Sequence, residues 1–176
     1  MRGGRNVYLI GPMGSGKTAV GKQLARLIRA PFRDSDAEIE ARTGVDISYI
    51  FSREGEAGFR LREREVIEEI TRESPIVLAT GGGAILLEEN RKVLHERGFV
   101  VYLKTSIEQQ AERVRQGRNR PLLHDVDPQQ KLTELMAVRA PLYESLADFT
   151  VTTDGRKVHL VADSIIAAFK AAAHSA

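Results

Sequence analysis

The octapeptide "GPMGSGKT" (11–18) follows the apolar run "VYLI" (7–10) and opens a helical pattern, and no other segment restricts the fold so tightly. It matches G-x-x-x-x-G-K-[ST] at the strand-to-helix junction that this pattern requires. Glycines allow successive backbone N–H groups to turn inward around a phosphate, and the helix N-terminus adds partial positive charge. Gly14, Ser15, Gly16, Lys17, Thr18 and Ala19 are therefore expected around nucleotide phosphates. Lys17 is expected to reach the β- and γ-phosphates, and the Thr18 hydroxyl to ligate Mg²⁺.

The remaining apolar runs extend this start into a sheet. "IVLA" (76–79), "FVVYL" (99–103) and "FTVT" (149–152) read as buried strands, and "PFRD" (31–34) as a weaker one. Helical patterns separate them: Val20, Leu24, Leu27 and Ile28 form one apolar stripe, and Val158, Val161, Ile165 and Phe169 another. Residues 55–73 and 84–97 read as charged amphipathic helices, the second closing at Gly98 as a C-cap. The segment 62–73, "REREVIEEITRE", looks like a solvated face of mixed charge. Strands apolar on both faces, alternating with helices, predict an α/β fold: a parallel sheet with helices on both sides. One domain spanning 1–176 is expected at this length, with no linker or internal repeat. The polar, proline-bounded stretch 117–130 is long for a connection and reads as a functional loop.

Composition narrows the chemistry by exclusion. The chain has no cysteine, which removes disulfides, thiolate metal sites and cysteine nucleophiles. A net charge of +2 is too small to imply nucleic acid. No apolar run approaches the ~20 residues of a membrane span, and the polar N-terminus is unlike a secretory signal, so a cytoplasmic protein is expected. His95, His124, His159 and His174 are scattered without ligand spacing. A phosphate loop leaves two classes open, a kinase and a nucleotide-hydrolysing switch or motor. No N-K-x-D guanine motif is present, and the long polar loop suits a kinase that must exclude water from the transferring phosphoryl group.

Three other stretches bear on a second substrate. "TGGGAI" (80–85) puts bare backbone at the carboxyl end of a parallel strand, where ligands bind in open α/β sheets. "FRLRE" (59–63) holds Arg60 and Glu63 one turn apart, as a surface ion pair or as part of a site. In "LTELMAVRAPLY" the stripe Leu132, Leu135, Met136, Leu142, Tyr143, Leu146 has Arg139 at a core position. Unless it reaches back to solvent, that guanidinium needs an anion and suits a carboxylate. Pro141 should kink the same helix.

Together, "GPMGSGKT", "DSD" (34–36), "GFR" with Glu63, "TGGG", "RPLL" (120–123) and "RAPLY" (139–143) resemble the shikimate kinases, a P-loop family related to nucleoside-monophosphate kinases. The resemblance runs from about residue 5 to 172. It implies a three-layer P-loop fold with a five-stranded parallel sheet in the order 2-3-1-4-5, and a mobile lid at about 117–127. It implies ATP-dependent phosphorylation of the 3-hydroxyl of shikimate, in aromatic amino-acid biosynthesis, with ATP and shikimate as partners and Mg²⁺ as cofactor. Neither nucleic acid nor membrane is implied, and the family tends to be monomeric. By motif, Asp36 contacts the shikimate hydroxyls and is the candidate base, Arg60 and Arg139 hold the carboxylate, and Gly82 supplies a backbone contact. Arg120 in the lid would act on the ATP phosphates with Lys17, and Arg113 and Arg156 lie near the adenine. Ile47, Phe51 and Phe59 suit the apolar face of the ring or an ordinary core. A related kinase of gluconate or a nucleotide, or a non-catalytic nucleotide-binding module, is the alternative.

The paired aspartates of "RDSD" (33–36) divide under this reading. Ser35 and Glu38 fit a capping box that starts the second helix. If Asp34 and Asp36 stay extended, both face the phosphate loop. Asp34 then serves Mg²⁺, through water, and Asp36 the acceptor.

Overall fold

In the computed structural model, residues 6–116 and 127–175 are described. Five parallel strands, β1 (Val7–Ile10), β2 (Phe32–Asp34), β3 (Val77–Ala79), β4 (Phe99–Lys104) and β5 (Phe149–Thr152), form one sheet in the order β2-β3-β1-β4-β5. Alternating side chains send Tyr8, Ile10, Leu78, Val100 and Tyr102 to one face and Val7, Leu9, Val77, Val101 and Leu103 to the other. Helices α1 (Lys17–Ile28) and α7 (Val158–His174) cover the second face through Val20, Leu24, Val161 and Ile165. The first face is covered by α2 (Ser35–Thr43), α3 (Ile47–Ile70), α4 (Glu88–Arg97) and α6 (Pro128–Leu146), with α5 (Ile107–Gln116) packed on α6. No helix of the described residues is long and apolar enough to cross a membrane.

Register decides what meets at the carboxyl edge. Leu9 pairs with Ala79 and Ala79 with Asp34, so the phosphate loop, the 80–83 turn and the start of α2 leave the sheet side by side. The strand order reverses at β1, which is where open α/β sheets form their binding crevice.

Several local expectations change. Leu27 and Val158 lie on the outer sides of α1 and α7, at 46% and 41% exposure. The helix expected from residue 55 begins at Ile47 and breaks at Gly55 (φ 70°, ψ −179°), a conformation that suits glycine. Across that break Glu54 forms a two-pronged ion pair with Arg62 (2.9 and 2.6 Å). In an unbroken helix eight residues would put them about 12 Å apart along the axis. Helix α4 is shorter than expected and follows a separate 3-10 turn, Ala84–Leu86. Gly98 is extended (φ −164°), not left-handed. Its glycine is a matter of space, since a Cβ there would lie 2.4 Å from the Tyr8 ring. Pro141 is accommodated within α6, which runs on to Leu146.

Candidate active site

The phosphate loop is shaped by glycines in conformations other residues rarely adopt: φ is 146° at Gly11, 75° at Gly14 and 92° at Gly16. Gly16 is the N-cap of α1, and no side chain among the described residues caps that helix. The first intrahelical bond runs from Val20 N to the Gly16 carbonyl. The amides of Thr18 and Ala19 thus precede any intrahelical acceptor and are donors for an anion at the positive end of the helix. Lys17 Nζ lies across the loop, donating to the carbonyls of Gly11 (2.7 Å) and Pro12 (2.8 Å). From α5, Arg113 Nη1 donates to the Gly14 carbonyl at 2.7 Å, which puts a cation against the loop. Arg156 donates to Ser164 Oγ (2.9 Å) on α7 and, among the described residues, makes no hydrogen bond to the phosphate loop. Asp154, which feels the charge of Arg113, accepts from Ser106 N (3.1 Å) and from the Thr105 hydroxyl. Burial pushes its carboxyl up, but those hydrogen bonds outweigh it and hold the group below the usual range. Arg120 and most of the expected lid lie outside the described residues, as does His124.

The two aspartates are separated by a helix start. Asp34 ends β2 and is itself the N-cap of α2: its Oδ1 accepts from Asp36 N (3.0 Å) and Ala37 N (3.1 Å). The expected Ser35–Glu38 capping box is therefore replaced by an aspartate cap, one residue earlier. Asp34 Oδ2 accepts from Thr18 Oγ1 at 3.1 Å. That hydroxyl and carboxylate, both hard oxygens next to the phosphate loop, suit Mg²⁺, which binds through one or two protein oxygens, substrate phosphate and water. Asp36 is not extended but sits in the first turn of α2. The helical turn, not strand periodicity, separates its carboxylate from that of Asp34. Ser35 Oγ accepts from Gly81 N at 3.0 Å and pins this turn to the next segment.

Gly81, Gly82 and Gly83 have no positive φ; they are a clearing into which side chains crowd. A Cβ on Gly81 would lie 2.8 Å from Asp36 Oδ1 and 2.6 Å from Glu63 Oε2. One on Gly82 would lie 3.4 Å from Arg139 Nη1 and from the Met13 amide nitrogen. One on Gly83 would lie 2.2 Å from Arg60 Nη2. The turn thus brings together Asp36, Arg60, Arg139 and the phosphate loop, residues far apart in the chain.

The charges around this clearing are buried. Arg60 and Glu63 do not form a surface pair: Arg60 is 9% exposed, Glu63 0%, and Nη1 meets Oε1 at 2.9 Å. Burial pushes the Glu63 carboxyl up to about 7 against the opposing pull of Arg60, and the neighbouring Asp36 carboxylate adds to the rise. Burial works against the charge on Arg60, yet Glu63 and Glu56 (3.1 Å) reverse that and raise its pKa. Arg139 takes its predicted inward position, at 3% exposure. Its charge opposes the burial that raises the pKa of the Tyr143 hydroxyl, and that hydroxyl donates to the Gly82 carbonyl. Phe59 is fully packed and Phe51 lies 4.9 Å from it, ring to ring; with Ile47 they belong to the core below the site.

Sequence reasoning passed over Glu63 as a buried charge, though the signal existed. The inward stripe of α3 is Phe59, Glu63, Val66, Ile67, Ile70, a charge at a core position just like Arg139 in α6. The segment read as solvated is thus half core. Asp154 carries no pattern of its own, because its partners Thr105 and Ser106 come from a distant part of the chain, and the stripe that contains Tyr143 gives no sign of its bond to Gly82.

A phosphate loop on the central strand of a 2-3-1-4-5 sheet, beside an arginine-lined clearing, defines a P-loop phosphotransferase. The comparisons narrow this class. The family described as "Shikimate kinase" matches residues 13–170, and the chain belongs to the shikimate kinase family. A shikimate kinase of Pasteurella multocida (strain Pm70) is 52% identical over 163 residues, covering 92% of this chain and 93% of its own. The structure of shikimate kinase from Acinetobacter baumannii in complex with shikimate superposes with a TM-score of 0.93 at 47% identity, covering 96% of this chain and 94% of that one. A gluconokinase from Sinorhizobium meliloti 1021 (TM-score 0.61, 19% identity, 99% and 97% coverage) shares the fold alone.

Proposed function

We propose that the chain transfers the γ-phosphoryl group of ATP to the 3-hydroxyl of shikimate, giving shikimate 3-phosphate and ADP. One observation carries the reading beyond family membership: two buried arginines, Arg60 and Arg139, and the Asp36 carboxylate border the same glycine clearing beside the phosphate loop, where the second carboxylate, Glu63, is already paired with Arg60. Shikimate is a compact anion with one carboxylate and three hydroxyls, which calls for this set. Arg60 and Arg139 hold the carboxylate, the Gly82 backbone adds a contact, and Asp36 orients the 3-hydroxyl and takes its proton.

On the nucleotide side the amides of the loop and α1 hold the phosphates, and Lys17 with Arg120 neutralises charge that develops on the transferring group. Arg113 lies beside the loop and is assigned to the adenine by the family resemblance. Arg156 is assigned to the adenine by the family resemblance. Thr18 and Asp34 would hold Mg²⁺, which neutralises phosphate charge when bound. The segment 117–127 acts as a lid that excludes water, within a single monomeric domain.

A coupled assay of ADP release across shikimate, gluconate, nucleoside monophosphates and no acceptor tests the assignment. ADP is expected with shikimate alone. Equal release without acceptor would make the protein a nucleotide hydrolase or sensor, and release driven by gluconate would reassign the acceptor.

A further inference from the structure

Among the described residues, Arg33 and Arg62 set both nitrogens of the guanidinium side edge, Nε and Nη2, on one carboxylate, whereas Arg60 uses that edge incompletely. Arg33 places both nitrogens on Glu73 (3.1 and 2.9 Å). Arg62 places both on Glu54 (2.9 and 2.6 Å). Arg60 donates from Nη2 to Glu56 Oε1 at 3.1 Å, while its buried Nε has no hydrogen-bond partner among the described residues. Its remaining nitrogen, Nη1, is held by fully buried Glu63. The half-used edge is the one a carboxylate takes bidentately.

The two glutamates on Arg60 differ in kind. Glu63 is sealed in the core and cannot leave without stranding a charge. The Glu56 side chain is 47% exposed and stands immediately after the Gly55 break, in the first turn of the second half of α3. Released from Arg60, it would still have water and the positive end of that half-helix.

We infer that Glu56 is an internal, displaceable surrogate for the carboxylate of the acceptor, and so a determinant of acceptor affinity. It covers the Arg60 edge until the substrate carboxylate replaces its single contact with two, on Nη2 and Nε, while Glu63 keeps the guanidinium in place. The inference rests on the assignment of Arg60 to that carboxylate.

Glu56→Gln removes the competing charge at constant size. The dissociation constant for shikimate, measured by calorimetry, and its KM should both fall about two- to five-fold, the range of a partly exposed ion pair. ATP affinity should stay unchanged, and the thermal midpoint should drop slightly. A purely structural role predicts weaker binding, so the opposite signs of affinity and stability are the discriminating readout. Unchanged or weaker shikimate binding overturns the surrogate. Arg60→Lys, which lacks the bidentate edge, separates that failure from a failure of the underlying assignment. A shikimate KM raised about ten-fold or more, the cost of a strong hydrogen bond to charge, upholds Arg60 as carboxylate ligand. Unchanged KM in Arg60→Lys removes both.

Discussion

The nucleotide side and the acceptor side of the crevice share one sheet edge but are built differently. The nucleotide side is one continuous segment, and its ligands are mostly main-chain donors. Its glycines are there for conformation, with φ of 75° at Gly14 and 92° at Gly16, and little crowds Gly16, where the nearest atom to a Cβ would be 3.5 Å away. The acceptor side takes side chains from α2, α3 and α6, and backbone from the 80–83 turn. Its glycines are there for space, and its charges are buried: Arg60, Glu63 and Arg139 are each 9% exposed or less. A site made of backbone depends on local geometry and tolerates change elsewhere. A site made of buried side chains depends on packing and on every charge keeping its partner.

The sharpest way to separate the sides is Asp36→Asn. Turnover should fall about 10²- to 10⁴-fold, the range of a lost general base, while calorimetry finds ATP binding intact. Near-normal turnover would remove Asp36 from the chemistry. Next, Glu63→Gln should destabilise the fold by about 3–5 kcal/mol, because it breaks a buried pair and leaves the Arg60 guanidinium only the half-exposed Glu56. This variant also tests a pH dependence. Folded Glu63 titrates near 7 against an ordinary 4.5, so between those values the folded state holds a proton that the unfolded state has lost. Its contribution to stability is therefore complete below about pH 4.5 and is lost as pH rises through 7. Denaturant titrations of the native protein should show that decline, and the glutamine variant should lack it; parallel curves would contradict the burial argument.

Gly16→Ala and Gly83→Ala probe the two uses of glycine. The first should cost about 1–3 kcal/mol through backbone strain and weaken ATP. The second, whose Cβ would lie 2.2 Å from Arg60 Nη2, should displace that guanidinium and weaken shikimate while sparing ATP. If both variants lose the same ligand, the division between conformation and space is wrong. The smallest effect is expected at Arg42, which joins exposed Glu38 on α2 to Glu69 on α3. Arg42→Ala should cost less than about 1 kcal/mol and leave both affinities unchanged; a larger loss would extend the acceptor side's dependence on charge to the surface.

Much of this was legible in order along the chain. The phosphate loop was, because its chemistry lies within eight consecutive residues whose spacing is the geometry. The strands were, because burial on both faces leaves unbroken apolar runs. Arg139 was, because a cation interrupts an otherwise regular stripe. Legibility failed where two neighbours compete for one local role. Asp34 caps α2 in place of Ser35, and that choice also turns Asp36 off the strand. It failed again at Glu63, whose charge hid its membership of an inward face.

By itself, then, the sequence determined the alternating strands and helices, the nucleotide loop and the residue types available to an acceptor, because periodicity and contiguous motifs act over a few residues. Only the tertiary structure decided which charges are buried, why three glycines stand together, and which glutamate on Arg60 is sealed and which exposed. Those outcomes depend on contacts between segments 20 to 100 residues apart, such as Ser35 with Gly81 and Gly14 with Arg113. The parallel register that makes them neighbours is a property of the sheet and of no single stretch of it.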